Sequence, residues 1–324
     1  MTRPATRRHF LARAAGLALL AGPALRAATT TGRATRKFSI DLVPGMIGIE
    51  SGYPAIVDQA AKFGFESIAP DPAYLAGLPD DRDAQLREHL ASLGLKYSAA
   101  GLPVEFRKDD ATFQQGLEAL PKAAAALQRA GASRVGTYIM PNHAELTYSA
   151  NFKQHADRLR EVATVLGDHG QRFGLEYVGP KTLWTARRHP FVHSMAELRE
   201  LIAAIDRPNV GLVLDSWHWY TAGDTEADLL ALSNDDVVAC DLNDAPANVP
   251  VDQQIDQKRE LPMATGVIDL KTFLGALVQI GYDGPVRAEP FNAPLNAMRD
   301  DQALAAAAQA LMDAFALLEG NAAK

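Results

Sequence analysis

Short apolar, β-rich runs recur along this chain, each followed by a loop and a helical stretch, and this repeated unit limits the available folds more than any other feature. The strands are read at Phe38 to Leu42, Phe65 to Ala69, Lys96 to Ala100, Arg134 to Ile139, Phe173 to Val178, Val210 to Leu214, Val237 to Cys240 and Val286 to Glu289. The helical stretches are amphipathic: Phe152, Ala156, Leu159, Ala163 and Leu166 share one face, as do Leu304, Ala308, Leu311, Phe315 and Leu318. Strands that are apolar throughout, alternating with one-faced helices, predict a parallel sheet wrapped in helices. Eight units in about 290 residues match a closed (β/α)8 barrel, with a doubly wound open sheet as the alternative. Gly64, Gly94, Gly131, Gly174 and Gly281 lie shortly before strands, where a positive φ is expected.

Four acidic residues end the last four strands: Glu176, Asp215, Asp241 and Glu289. A closed barrel gathers strand ends five to eight around one mouth, so these carboxylates should converge. Four unscreened negative charges repel, and the site must either take up protons or hold a divalent cation. A single strand-end acid is equally well a helix cap or a solvated rim residue, whereas four in register point to the functional rim. Two long connections, Gly179 to Ser194 and Asn243 to Asp269, should crown the same end.

Residues 1–28 carry five arginines and no acid, so the net charge of −7 falls to −12 without them. The Arg7-Arg8 pair followed by Phe10-Leu11 and the uncharged run Ala14 to Leu25 read as a twin-arginine export signal, cleaved between Ala24 and Ala28. The expected organisation is a signal over residues 1–28 and one catalytic barrel over 29–324. The expected location is periplasmic, with no membrane association after cleavage. The acidic body argues against nucleic acid as a partner. A single cysteine, Cys240, excludes an internal disulfide.

A Glu on strand five, Asp-x-x-His on strand six, an acid on strand seven followed two residues later by Asn-Asp, and a Glu on strand eight resemble the xylose isomerase-like TIM barrels. The resemblance implies a divalent-metal-dependent isomerase or epimerase acting on a small sugar or keto-sugar. It implies Glu176, Asp215, Asp241 and Glu289 as metal ligands, and Glu176 and Glu289 as the acid–base pair on opposite sides of the substrate. It further implies that His218 and Arg259 contact substrate oxygens. Lys181 and Trp217 are additional candidates for substrate binding, as an ammonium and an apolar ring face beside the same rim. Asp241 departs from the family, which mostly places His there. An all-oxygen set favours Mn²⁺ or Mg²⁺ over Zn²⁺. The alternative is a site without metal, in which Arg259, Lys181 and His218 balance the acids.

Isomerisation beside a carbonyl needs a proton removed from carbon and the enediolate oxygen stabilised. The same groups would serve a β-elimination from a 3-keto sugar or related polyol, so a lyase or dehydratase stays open. So do a non-catalytic carbohydrate-binding barrel and a homo-oligomer. A DNA-repair endonuclease would need more histidine ligands and a basic surface.

Overall fold

A computed structural model describes residues 36–319; the export-signal expectation lies outside the described residues. Eight parallel strands form the sheet: β1 (Ser39–Leu42), β2 (Ser67–Ile68), β3 (Lys96–Tyr97 and Ala99–Gly101, interrupted at Ser98), β4 (Arg134–Tyr138), β5 (Arg172–Glu176), β6 (Val210–Asp215), β7 (Val237–Leu242) and β8 (Pro285–Ala288). Neighbours pair in order, and β8 returns to β1 with Ile40 opposite Val286. The first half of β3 pairs with β2 and its second half with β4, which closes the ring. Closure excludes the open-sheet alternative, and all eight expected strands are present within a few residues of their expected bounds.

The outer layer consists of α1 (Ala55–Lys62), α2 (Asp80–Ser92), α3 (Asp110–Ala130), α4 (Tyr148–Asp168), α5 (Met195–Ile205), α6 (Glu226–Leu230), α7 (Leu270–Gln279) and α8 (Asp300–Ala316). The expected stripes on α4 and α8 do face the barrel: Leu159, Ala163, Leu166, Leu304, Leu311 and Phe315 are buried. The main core therefore lies between strands and helices. Inside the ring, Ala99, Val213 and Ala239 form a small separate apolar cluster.

Four of the five expected glycines have positive φ: Gly64, Gly94, Gly131 and Gly281. Gly174 does not; it lies within β5, and the turn before that strand uses Gly170. Its role is steric, since a Cβ there would come within 2.8 Å of Val213 Cγ2. The connection after β5 holds a short helix (Lys181–Trp184) and pairs His189–Pro190 antiparallel with Asn142–His143 after β4.

Candidate active site

The strand period of two decides what enters the barrel mouth. Asp241 is in register with Asp215 on β6 and Arg287 on β8, placing these three at one level. Arg287 and Glu289 are two residues apart and so share a face. Glu176, Asp215, Asp241 and Glu289 are all buried, and they do converge. Oxygens of Glu176, Asp241 and Glu289 lie within 4.8 Å of one another, as do ligand atoms of Glu176, Asp215 and His218.

Two guanidiniums meet these acids. Arg259, 2% exposed, reaches in from the β7–α7 connection and donates from Nη1 to Asp215 Oδ2 at 2.7 Å and Glu289 Oε2 at 2.8 Å. Its Nη2 donates to Asp256 Oδ1 at 2.9 Å. Arg287 donates from Nε and Nη2 to both oxygens of Asp241, the latter bond at 3.0 Å. Glu176 alone among the four acids has no guanidinium partner, and its Oε1 is buried without a hydrogen bond. With Asp256 included, five ionised acids exceed the two arginines by three negative charges.

Protonation follows from this geometry. Burial raises the Glu176 carboxyl well above the usual range, with Glu289, Asp241 and Asp215 adding to the rise. Burial, then Asp241, pushes Glu289 up to about 8, against the pull of Arg259. Asp215 is pushed up to about 7 by burial, with Arg259 opposing. Asp215 also caps the short helix Ser216–Ala222 by accepting from the Trp217 amide at 2.8 Å. The site and cap readings therefore hold together for one residue.

His218 is neutral, its pKa held well below normal by burial and then by Arg259. The Gly179 amide donates to its Nδ1 at 3.2 Å, and its Nε2 lies 3.3 Å from Arg259 Nη2 and 3.6 Å from Asp215 Oδ2. Gly179 is required there because a Cβ would stand 2.7 Å from the His218 carbonyl oxygen.

The long β7–α7 connection is anchored by Asp244. Its Oδ2 accepts from the Thr265 and Gly266 amides at 2.9 and 2.7 Å, and its Oδ1 from Val267 and Ile268 at 3.1 Å each. Asn243 beside it donates to Asp215 Oδ1 at 2.9 Å and accepts from the Glu289 amide at 3.2 Å. The Asn-Asp pair was legible as a motif, but its work as a loop anchor was not. Arg287 was missed although the strand period places it on the Glu289 face. Asp256, three residues before Arg259 in the same loop, was also missed.

Lys181 is half exposed, 3.9 Å from Asp252, and does not line the cavity over the acids. Trp217 is fully buried beneath the site and touches it through Arg259, whose guanidinium is 5.5 Å from its ring. Cys240 is buried and its thiol pushed far up by burial, in keeping with a packing role.

A closed ring of eight parallel strands with an acid cluster at its carboxyl ends defines a (β/α)8 barrel protein with its site at that mouth. The donor set suits a divalent cation: four carboxylates, an unbonded Glu176 oxygen and an excess of negative charge. More narrowly, the chain belongs to the xylose isomerase-like TIM barrel family, whose model matches residues 57–314. It is 28% identical over 163 residues to an inosose isomerase of Bacillus subtilis (strain 168), covering 50% of this chain and 55% of that protein. It is 30% identical over 208 residues to a ketose 3-epimerase of Arthrobacter globiformis, covering 62% and 63%. These matches span only about half to two thirds of the relatives' length. The solved structure of a xylose isomerase domain protein from Alicyclobacillus acidocaldarius subsp. acidocaldarius superposes with a TM-score of 0.77 at 33% identity, covering 87% of this chain and all of that one.

Proposed function

We propose that this protein is a divalent-metal-dependent isomerase or epimerase that acts on a sugar or keto-sugar through an enediolate. The observation that carries the reading is Glu176 and Glu289 on non-adjacent strands, both buried at one cavity of about 710 Å³, with both carboxyls displaced toward neutral pH. Acid–base chemistry at carbon needs one carboxylate ready to take a proton while its counterpart holds one, and a pair displaced this way supplies both states. Relatives named as an inosose isomerase and a ketose 3-epimerase support the same class.

Glu176, Asp215 and Glu289 would hold the ion, with Asp241 beside them under the hold of Arg287. Bound there, a divalent ion supplies Lewis-acid polarisation of adjacent substrate oxygens. The oxygen-rich set favours Mn²⁺ or Mg²⁺. His218 lines the cavity floor within reach of a substrate oxygen, and Arg259 fixes the Asp215 and Glu289 carboxylates. Glu289 and Glu176 exchange the proton at carbon. Their burial excludes the water that would otherwise compete for it. The export signal expected over residues 1–28 makes the periplasm the proposed place of action.

The test is incubation of the protein with candidate ketoses and keto-sugars in D₂O with Mn²⁺. Deuterium at the carbon beside the carbonyl is expected, with exchange at least about a hundredfold slower in Glu289→Gln, the scale of losing a general acid or base. Sugar binding without any exchange would replace this reading with a carbohydrate-binding barrel.

A further inference from the structure

The cavity over the acids is chemically two-sided. At about 710 Å³ it falls in the ~300–1,000 Å³ range of sites that enclose drug-sized ligands, more room than one sugar ring fills. Its floor holds Glu176, Glu289 and His218, while its outer wall is apolar, built by Tyr138, Met140, Leu183, Ile255 and Phe291. Tyr138 and Ile255 remain 43% and 45% exposed, so the wall offers uncovered apolar surface beside the polar floor.

Two rings in that wall are held from behind. The Arg107 guanidinium lies 3.9 Å from the Tyr138 ring centroid and is itself fixed by Thr137 Oγ1 at 2.7 Å and the Tyr138 carbonyl at 2.6 Å. Arg259 lies 4.5 Å from the Phe291 ring. Phe291 has φ +39°, a conformation non-glycine residues seldom adopt and which persists where surrounding structure enforces it. Rigid aromatic faces bind flat apolar groups at little entropic cost.

Charge narrows the ligand further. Arg259 is the cation in this lining, and Asp215, Glu289 and Asp256 already engage it. The lining carries four acids, Glu176, Glu289, Asp252 and Asp256, against this one cation, so a phosphorylated or carboxylated sugar would meet like charge.

Resting on the sugar-isomerase reading, we infer that the substrate is an uncharged keto-glycoside whose apolar, flat substituent packs among Tyr138, Phe291, Leu183 and Ile255 while its sugar ring reaches the acids. The test is calorimetric titration of the full chain with methyl, n-butyl and phenyl β-D-glucopyranoside and with glucose 6-phosphate. The phenyl glycoside is expected to bind at least about tenfold more tightly than the methyl one, the scale of burying part of a ring, and the phosphate to bind weakest. In Tyr138→Ser and in Ile255→Ser, the phenyl-to-methyl ratio should fall toward one, with circular dichroism checking the fold. Equal affinity along the series, no binding by any member, tightest binding of the phosphate, or a ratio unchanged in both variants overturns the inference. A flat series with deuterium exchange leaves the isomerase reading standing, and a steep series without exchange removes that reading alone.

Discussion

Replacing Asp244 by Asn tests whether the β7–α7 connection is what delivers Arg259 to the acids. The carboxylate is fully buried and accepts four amides from Thr265 to Ile268, plus that of Ala245 at 2.8 Å. In Asn, one oxygen becomes an NH₂ facing amide donors, so at least the two bonds on that side are lost. Hydrogen bonds to a charged acceptor contribute about 1.5–3 kcal/mol each, which sets a loss of about 3 kcal/mol or more. These bonds and the Asp244–Glu260 backbone pair tie the two ends of the connection to each other, so the loss should fall on local opening, raising it on the order of a hundredfold. Amide hydrogen exchange across residues 251–268 is the assay, with α4 and α8 as internal references. As Arg259 departs, Glu289 loses the interaction that holds its pKa down, so the acid limb of the activity profile should move to higher pH. Unchanged exchange in this segment, or loosening equally spread over the barrel, would refute the anchoring argument.

Arg287→Met leaves Asp241 buried without its partner and should destabilise the fold by about 3–5 kcal/mol in urea denaturation, with much of the loss recovered in the Asp241→Leu/Arg287→Met pair. The acid cluster should also make stability pH-dependent in chelator-treated protein. Asp215 and Glu289 have folded pKa values of about 7 and about 8, above their ordinary 3.8 and 4.5, so the folded state holds extra protons. Their contribution is fully present below about pH 4 and is lost as pH rises through 7 to 8. Melting temperatures across pH 5 to 9 should therefore decline from these groups, and less steeply in Glu289→Gln. A profile identical in the variant would show that Glu289 does not carry the shift. Divalent ion binding, followed by calorimetry, should weaken at least about tenfold in Glu176→Gln, since that residue holds the unbonded buried oxygen.

Much of the barrel was written in local pattern. Strand length, apolar runs, amphipathic stripes on α4 and α8 and the spacing of units are properties of neighbouring residues, so a linear reading finds them. The convergence of Glu176, Asp215, Asp241 and Glu289 was legible for the same reason, since strand ends in a closed ring share one mouth. Gly174 was misread because proximity to a strand suggested a turn, whereas its need for glycine comes from Val213 on the neighbouring strand β6.

The sequence by itself thus determined the repeating unit, the closed ring and the set of acids at its rim. Only the tertiary structure decided how those charges are compensated: Arg259 crosses from a distant loop to Asp215 and Glu289, and Arg287 takes Asp241 across the β7–β8 register. Lys181 stays in solvent and Tyr138, unmarked in the linear pattern, stands over the cavity on Arg107. Periodicity fixes which way a side chain points within its own element. Which side chain it meets depends on the path of loops whose bonds, such as those of Asp244, connect residues far apart in the chain.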